Sequence, residues 1–187
     1  MILSQVSAST LNASFQECLS ELLDHGLETQ PRGEKVKEIL NYSIVLHNPR
    51  NRIITFAERK TSLRYLLGEW IWYLSGSPSV QDINMYSKFW EAIAKEDGTV
   101  NSNYGTRIFG HSKLYPYNQW NKAKELMQKD KDSRQAIIRI NHADDYTYAN
   151  KDVPCTLTLQ FFIRNNKLNL IVNMRSNDIW RGYCNDQ

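Results

Sequence analysis

The sequence predicts an α+β fold: a mixed, mostly antiparallel sheet flanked by helices, in a single domain spanning residues 1–187. Three observations predict it. Two strand-like runs, 152–163 and 168–174, are joined by Asn165-Asn166, and asparagine tolerates the positive φ that a two-residue hairpin loop demands. Upstream segments carry apolar residues at helical spacing. The order helix, strands, two helices, helix, strands holds no internal repeat, low-complexity segment or linker.

Residues 10–25 read as a helix. Leu11, Phe15, Cys18, Leu19, Leu22 and Leu23 recur along one stripe, Thr10 caps the start and Gly26 ends it. Cys18 on that stripe is core. A polar loop follows, in which Arg32 beside Gly33 could offer a guanidinium and a backbone N–H to an anion, although a solvated loop explains it as well. Residues 39–46 read as a strand, 48–51 as a turn and 52–56 as a second strand, with His47 structural. Residues 61–74 form an amphipathic helix whose apolar face is Leu63, Leu66, Leu67, Trp70, Ile71 and Leu74, expected at the centre of the core. Glu69 lies within it, either at a rim or buried for a purpose.

A second helix is expected over 79–95, with Ser79 and Asp82 as a capping pair, then a polar loop ending at Tyr104-Gly105. Residues 116–127 read as a third helix, with Trp120, Ala123, Leu126 and Met127 inward. A charged turn around Ser133-Arg134-Gln135, a strand over 136–140 and a loop over 142–151 complete the approach to the hairpin.

Composition narrows the function. The net charge of +3 on 187 residues is too small for nucleic-acid binding without a clustered basic face, but it suits a small anion. Three cysteines at wide spacing, with no Cys-x-x-Cys or Cys/His pattern, argue against a disulfide framework and a structural zinc. With no signal peptide and no apolar run near the ~18 residues a membrane helix needs, a cytoplasmic protein without a membrane partner or metal is expected.

The hairpin carries the chemistry. Pairing outward from Asn165-Asn166 sets Cys155 opposite Ser176 and beside Arg175 at the open end. A nearby guanidinium favours the thiolate, the nucleophilic form. Strict alternation would place Cys155 and Arg175 on opposite faces, so a β-bulge is expected to bring them together. Pro154 removes a ladder donor, which puts Cys155 at a strand start.

These residues resemble a known family. Val-Pro-Cys155-Thr, followed by Gln160-Phe, is similar to the nucleophile strand of the thymidylate synthase and deoxycytidylate hydroxymethylase family, and Arg175-Ser176-x-Asp178-x-x-x-Gly182 is similar to its phosphate-and-folate signature. Glu69-Trp-Ile-Trp-Tyr-Leu-x-Gly76, Phe89-Trp90-Glu, Tyr104-Gly105 and Asp132-Ser133-Arg134 follow in the family's order. The resemblance implies a thymidylate synthase-like fold, a homodimer, a pyrimidine deoxynucleoside monophosphate as substrate and methylene-tetrahydrofolate as cofactor. It implies that Cys155 adds to carbon 6 of the pyrimidine, that Glu69 organises proton transfer and that Tyr104 lies near the thiol. Arg175, Ser176, Arg32 and, across the dimer interface, Arg134 would hold the phosphate. Gln160 would orient the nucleotide, and Trp90, Asp178 and Gly182 would form the folate site.

The sequence departs from the thymidylate synthase pattern at three places. Gln135 follows Arg134 where the family has a second arginine, Thr156 follows the nucleophile where it has histidine, and Asp186 stands where an asparagine reads uracil. A protonated carboxyl can accept from the cytosine amine and donate to its ring nitrogen, so Asp186 implies dCMP and, in that branch, hydration to a hydroxymethyl group. The alternatives are a thymidylate synthase acting on dUMP, an inactive member truncated at its C-terminal part, and a cysteine hydrolase pairing Cys155 with His111 or His142.

Overall fold

A computed structural model describes residues 4–110, 116–147 and 151–185. The elements are β1 (Ser4–Ala8), α1 (Leu11–His25), β2 (Leu27–Thr29), β3 (Val36–Glu38), β4 (Tyr42–Leu46), α2 (Leu63–Ser75), α3 (Gln81–Asn84), α4 (Phe89–Ile93), α5 (Tyr104–Phe109), α6 (Gln119–Lys129), β5 (Ile137–Arg139), β6 (Thr156–Arg164), β7 (Lys167–Met174) and α7 (Gly182–Asn185). They fall into two units, Met1–Ser62 with Asn177–Gln187, and Leu63–Ser176.

In the first unit, α1 begins where its cap was expected, with Thr10 Oγ1 accepting from the Ala13 amide at 3.1 Å. Its buried stripe packs Leu11 and Phe15 with Ile54, Tyr183 and Cys184, while Cys18 joins Val6 and Ala8. Strand β4 pairs in parallel with β1, a strand the hydrophobic pattern did not reveal, and β2 and β3 form a short antiparallel pair at the two ends of the expected polar loop. Strand β4 starts only at Tyr42, because Asn41 takes a positive φ of 56° just before it. The second strand expected at 52–56 does not form. Asn12 takes the place of a neighbouring strand: its Oδ1 accepts from the Thr55 amide at 3.0 Å and its Nδ2 donates to Thr55 Oγ1 at 2.7 Å. His47 is structural, as expected, with Nε2 2.8 Å from Ser7 Oγ.

In the second unit, helix α6 lays Ala123 and Met127 against Ala136, Ile138, Ile140 and Phe161 of an antiparallel sheet ordered β5-β6-β7. Asn165 and Asn166 both take positive φ, 51° and 56°, so the hairpin turn is the one the sequence called for. The helix expected over 79–95 divides into α3 and α4. Between them, Tyr86 sets its ring against Gly68, where an added Cβ would lie 2.5 Å from a ring carbon, and Ser87 Oγ accepts from the Phe89 amide. The loop ending at Tyr104 is instead the entry to α5, with buried Asn103 as its N-cap.

Helix α2 corrects a larger expectation. Leu63, Leu67, Trp70, Ile71 and Leu74, five of the six residues of the expected core face, are more than half exposed. The buried side carries Gly68, Glu69 and Trp72. The helix is apolar around most of its circumference, so periodicity alone named the wrong face. Strand β7 is likewise exposed along nearly its whole length.

The α2–α5 crossing depends on a small residue. A Cβ at Gly105 would sit 2.1 Å from the Tyr73 carbonyl oxygen, and backbone cannot yield as a side chain can. Gly105→Ala is therefore expected to lower stability by about 1–3 kcal/mol, an overpacking cost measurable by urea unfolding. An unchanged midpoint would show that the helices separate freely.

Candidate active site

The ladder between β6 and β7 follows the register set by the turn as far as Thr158 opposite Asn173. It then shifts, so that Thr156 pairs with Met174. This is the expected bulge. It corrects the pairing at the open end: the residue facing Cys155 is Arg175, whose amide donates to the Cys155 carbonyl at 2.9 Å, rather than Ser176. Arg175 Nη2 lies 3.8 Å from Cys155 Sγ. The guanidinium, at the end of β7, is held there by the segment that leads into β6, with Nε donating to the Pro154 carbonyl at 3.0 Å and Nη2 to the Val153 carbonyl at 2.7 Å. None of these bonds uses Nη1.

Cys155 also differs from the other two thiols. Cys18 and Cys184 are buried, and burial pushes both thiols up, away from the thiolate form; Cys155 is only partly covered. Thr156, where the family's histidine would stand, is buried at the first position of β6. Gln160 Nε2 donates to the Arg134 carbonyl at 2.9 Å, which ties the middle of β6 to the charged turn, and the Arg134 and Ser176 side chains are exposed. Shallow surface depressions of about 470 and 510 Å³ lie around Asn101 and Asp152 and around Ser133 and Arg134; neither is lined by Cys155 or Glu69.

Glu69 is buried, 7% exposed, on the inner side of α2. Burial raises its pKa above the usual carboxylate range, while hydrogen bonds from Tyr73 and Tyr65 pull in the other direction. Tyr73 donates to Glu69 Oε1 at 2.9 Å, and its ring lies 5.6 Å from that of Tyr104 at the start of α5. Trp90 is in the core, 7% exposed, edge-on to Trp72 at 5.1 Å, with its indole N–H donating to the Tyr65 hydroxyl at 3.2 Å. It therefore presents little surface to a ligand, and its visible work is to hold Tyr65.

Sequence reasoning missed a buried polar network. Arg107, 3% exposed, forms a bidentate pair with Asp145, 1% exposed, at 2.7 Å to each carboxylate oxygen, and donates to the carbonyls of Asn101 and Ile140. Burial pushes the Asp145 carboxyl up, but Arg107, the His142 amide and Asn101 together outweigh it and hold the group below the ordinary range. Asn101 Nδ2 also donates to the Asp152 carbonyl, and the Ser102 amide donates to Asp152 Oδ2 at 2.7 Å. The network thus anchors the loop before Tyr104 to the segment before Cys155. Arg107 and Asp145 are 38 residues apart, and no local spacing announces them. His142 accepts from the Asp144 amide as the cap of a short turn, which gives it a structural use; His111 lies outside the described residues.

The other predicted residues belong to the first unit. Arg32, exposed, takes a positive φ of 54° ahead of Gly33 at 88°. Asp178 Oδ1 accepts from the amides of Trp180 and Arg181 at 2.9 and 2.6 Å and so shapes the turn into α7, which Gly182 opens. Asp186 lies outside the described residues.

A partly covered thiol 3.8 Å from a tethered guanidinium at a bulged strand head is an arrangement suited to a cysteine nucleophile, and helix α2 of the same unit carries a buried carboxyl. The thymidylate synthase family profile matches residues 13–186. The chain belongs to the thymidylate synthase family. It is 34% identical over 159 residues to the deoxycytidylate 5-hydroxymethyltransferase of Enterobacteria phage T4, covering 82% of this chain and 61% of that one. It is 30% identical over 185 residues to the deoxyuridylate hydroxymethyltransferase of Bacillus phage SP01, covering 94% and 48%. The fold matches thermostable thymidylate synthase A from Bacillus subtilis with a TM-score of 0.69 at 20% identity, over 94% of this chain and 68% of that one. The chain thus spans roughly half to three fifths of the two phage enzymes' length. Among the described residues no helix is long and apolar enough to cross a membrane.

Proposed function

We propose that this protein transfers a one-carbon unit to carbon 5 of a pyrimidine deoxynucleoside monophosphate, with dCMP as substrate and a hydroxymethyl group as product. The observation that carries the proposal is the Arg175–Cys155 contact, because a fixed guanidinium 3.8 Å from sulfur favours the thiolate that attacks. Cys155 Sγ would bond to carbon 6, and carbon 5 would take the methylene group and lose its proton as the bond from that methylene to its carrier nitrogen breaks. Water would then add to the exocyclic methylene, its hydroxyl forming the hydroxymethyl group, and expulsion of the thiolate would restore the ring double bond. Methylene-tetrahydrofolate, when bound, supplies the one-carbon unit. Asp178, exposed and oriented by two backbone amides, fits a polar pterin contact, with Gly182 at the start of the helix that follows it; Trp90 fits less well, since its ring is in the core.

Arg175 has Nη1 for the nucleotide phosphate, with Ser176 adjacent. The family resemblance gives the exposed Arg32 a phosphate-binding role as well. In a homodimer, Arg134 would reach the phosphate bound by the partner subunit. Gln160 would orient the nucleotide, Tyr104 would stand near the thiol and Glu69 would manage protons. A cytoplasmic setting keeps the thiol reduced, and the whole reading is of a single catalytic domain. The hydroxymethyl product is supported by the similarity to two phage hydroxymethyltransferases, one named for deoxycytidylate and one for deoxyuridylate. The choice of cytosine rests on Asp186, and the second reading is action on dUMP.

Release of tritium from [5-³H]dCMP and [5-³H]dUMP, with methylene-tetrahydrofolate, tests the reaction, and product chromatography tells hydroxymethyl from methyl. Absence of release from both nucleotides would favour an inactive chain and sink the proposal. For the base, Asp186→Asn is expected to raise turnover on dUMP relative to dCMP by about tenfold or more, the scale of one exchanged polar contact in a closed site. An unchanged ratio would remove Asp186 from the argument.

A further inference from the structure

Glu69 sits among hydroxyl groups whose proton directions can be worked out. An indole N–H only donates, so Trp90 Nε1, 3.2 Å from the Tyr65 hydroxyl, makes that oxygen an acceptor. Tyr65 also hydrogen-bonds the Glu69 carboxyl and favours its ionised form, as a phenol does when it donates its proton to a carboxylate. From the opposite end of the same helical stretch, Tyr73 directs its proton to Oε1 at 2.9 Å. Residues 65, 69 and 73 recur at four-residue intervals, so the three side chains stack along one side of α2, the side that is buried or half-buried.

We propose that Tyr65 and Tyr73 are positioning residues that clamp Glu69 from both ends and fix the direction of its carboxyl group. The proposal rests on the reading of Glu69 as the proton-handling group of the one-carbon transfer. Around the carboxyl, α4 contributes Trp90 and, through the ring of Tyr73, α5 contributes Tyr104. Tyr86, packed on Gly68, has Arg64 over its ring at 5.8 Å. Tyr65 and Tyr73 are the groups that oppose the burial of Glu69, and no charged side chain among the described residues contributes to that balance. A phenol donor stabilises the carboxylate form, so removing one hydroxyl strengthens the group's hold on its proton.

The test uses the full chain labelled with [δ-¹³C]glutamate, in which the Glu69 resonance is assigned by its loss in Glu69→Gln. Tyr73→Phe keeps the ring, and with it the contact to Tyr104. It is expected to move the Glu69 titration upward by about one pH unit, the scale of one hydrogen bond to a charged group. Tyr65→Phe serves as an independent second variant with the same expected direction, and circular dichroism confirms that each remains folded. A Glu69 titration unmoved in both variants overturns the clamp. The pH profile of tritium release from [5-³H]dCMP separates the two claims. If the titration moves and the profile moves with it, both stand. If the titration moves and the profile does not, the clamp stands and the role of Glu69 in the reaction falls.

Discussion

Replacing Cys155 by serine is expected to abolish covalent capture of a fluorinated pyrimidine nucleotide. Fluorine at carbon 5 cannot leave as a proton does, so the wild-type chain, given 5-fluoro-dCMP and methylene-tetrahydrofolate, should accumulate a ternary adduct visible in intact-protein mass spectrometry. A serine hydroxyl stays protonated where a thiol near a guanidinium ionises, so Cys155→Ser should yield no adduct. Cys18 and Cys184 cannot substitute, since burial both hides them and raises their thiols. Arg175→Ala should slow adduct formation by at least tenfold, because it removes the guanidinium 3.8 Å from sulfur and the tether to the Val153 and Pro154 carbonyls. An adduct that persists in Cys155→Ser, on any residue, would displace Cys155 as the nucleophile.

Arg107→Met is expected to destabilise the folded chain by about 3–5 kcal/mol, because it strands the Asp145 carboxylate in a site 1% exposed. That is a large share of the ~5–15 kcal/mol by which domains are stable, so the variant's urea midpoint should fall well below that of the parent chain. Replacing both partners by apolar residues, Arg107→Met with Asp145→Leu, should recover part of the loss, since no charge is then left buried. Urea unfolding of the three chains measures both. A single-variant loss below about 1 kcal/mol would mean that water reaches the pair and that the network does little to hold the Cys155 segment. The pair also fixes an acid limit. The Asp145 carboxyl is held below its unfolded value, about 3.9, so its stabilisation is complete above that pH and is lost as pH falls through the lower folded value. In Arg107→Met with Asp145→Leu this part of the acid sensitivity should disappear.

Helix α1, helix α6 and the β6–β7 hairpin were legible because each is specified by neighbours in the chain: Thr10 and Gly26 at the ends of one helix, and two asparagines at a turn. The division of 79–95 was not legible, because it comes from Tyr86 docking on Gly68 of a different helix. Nor was the absence of a strand at 52–56, where a side chain of α1 satisfies the backbone that a strand would have paired. The exposed side of α2 shows the limit of periodicity most directly, since a helix apolar nearly all round has no face that sequence can single out.

For the candidate site, the sequence by itself determined the place of the Cys155 thiol, the arginine beside it and the need for a bulge, because a hairpin with a fixed two-residue turn sets its own register and a period of two forbids adjacent faces from meeting unaided. Family resemblance added roles to residues already conspicuous. Only the tertiary structure decided that the guanidinium is tethered to the carbonyls before Cys155, that Glu69 lies between two phenols with Trp90 behind one of them, and that Arg107 and Asp145 join two loops under the site. Each of these joins polar groups that the fold brings together. Where they are buried, as at Glu69 and at Arg107 with Asp145, their strength comes from the exclusion of water, and burial is a property of the folded chain that no run of neighbouring residues contains.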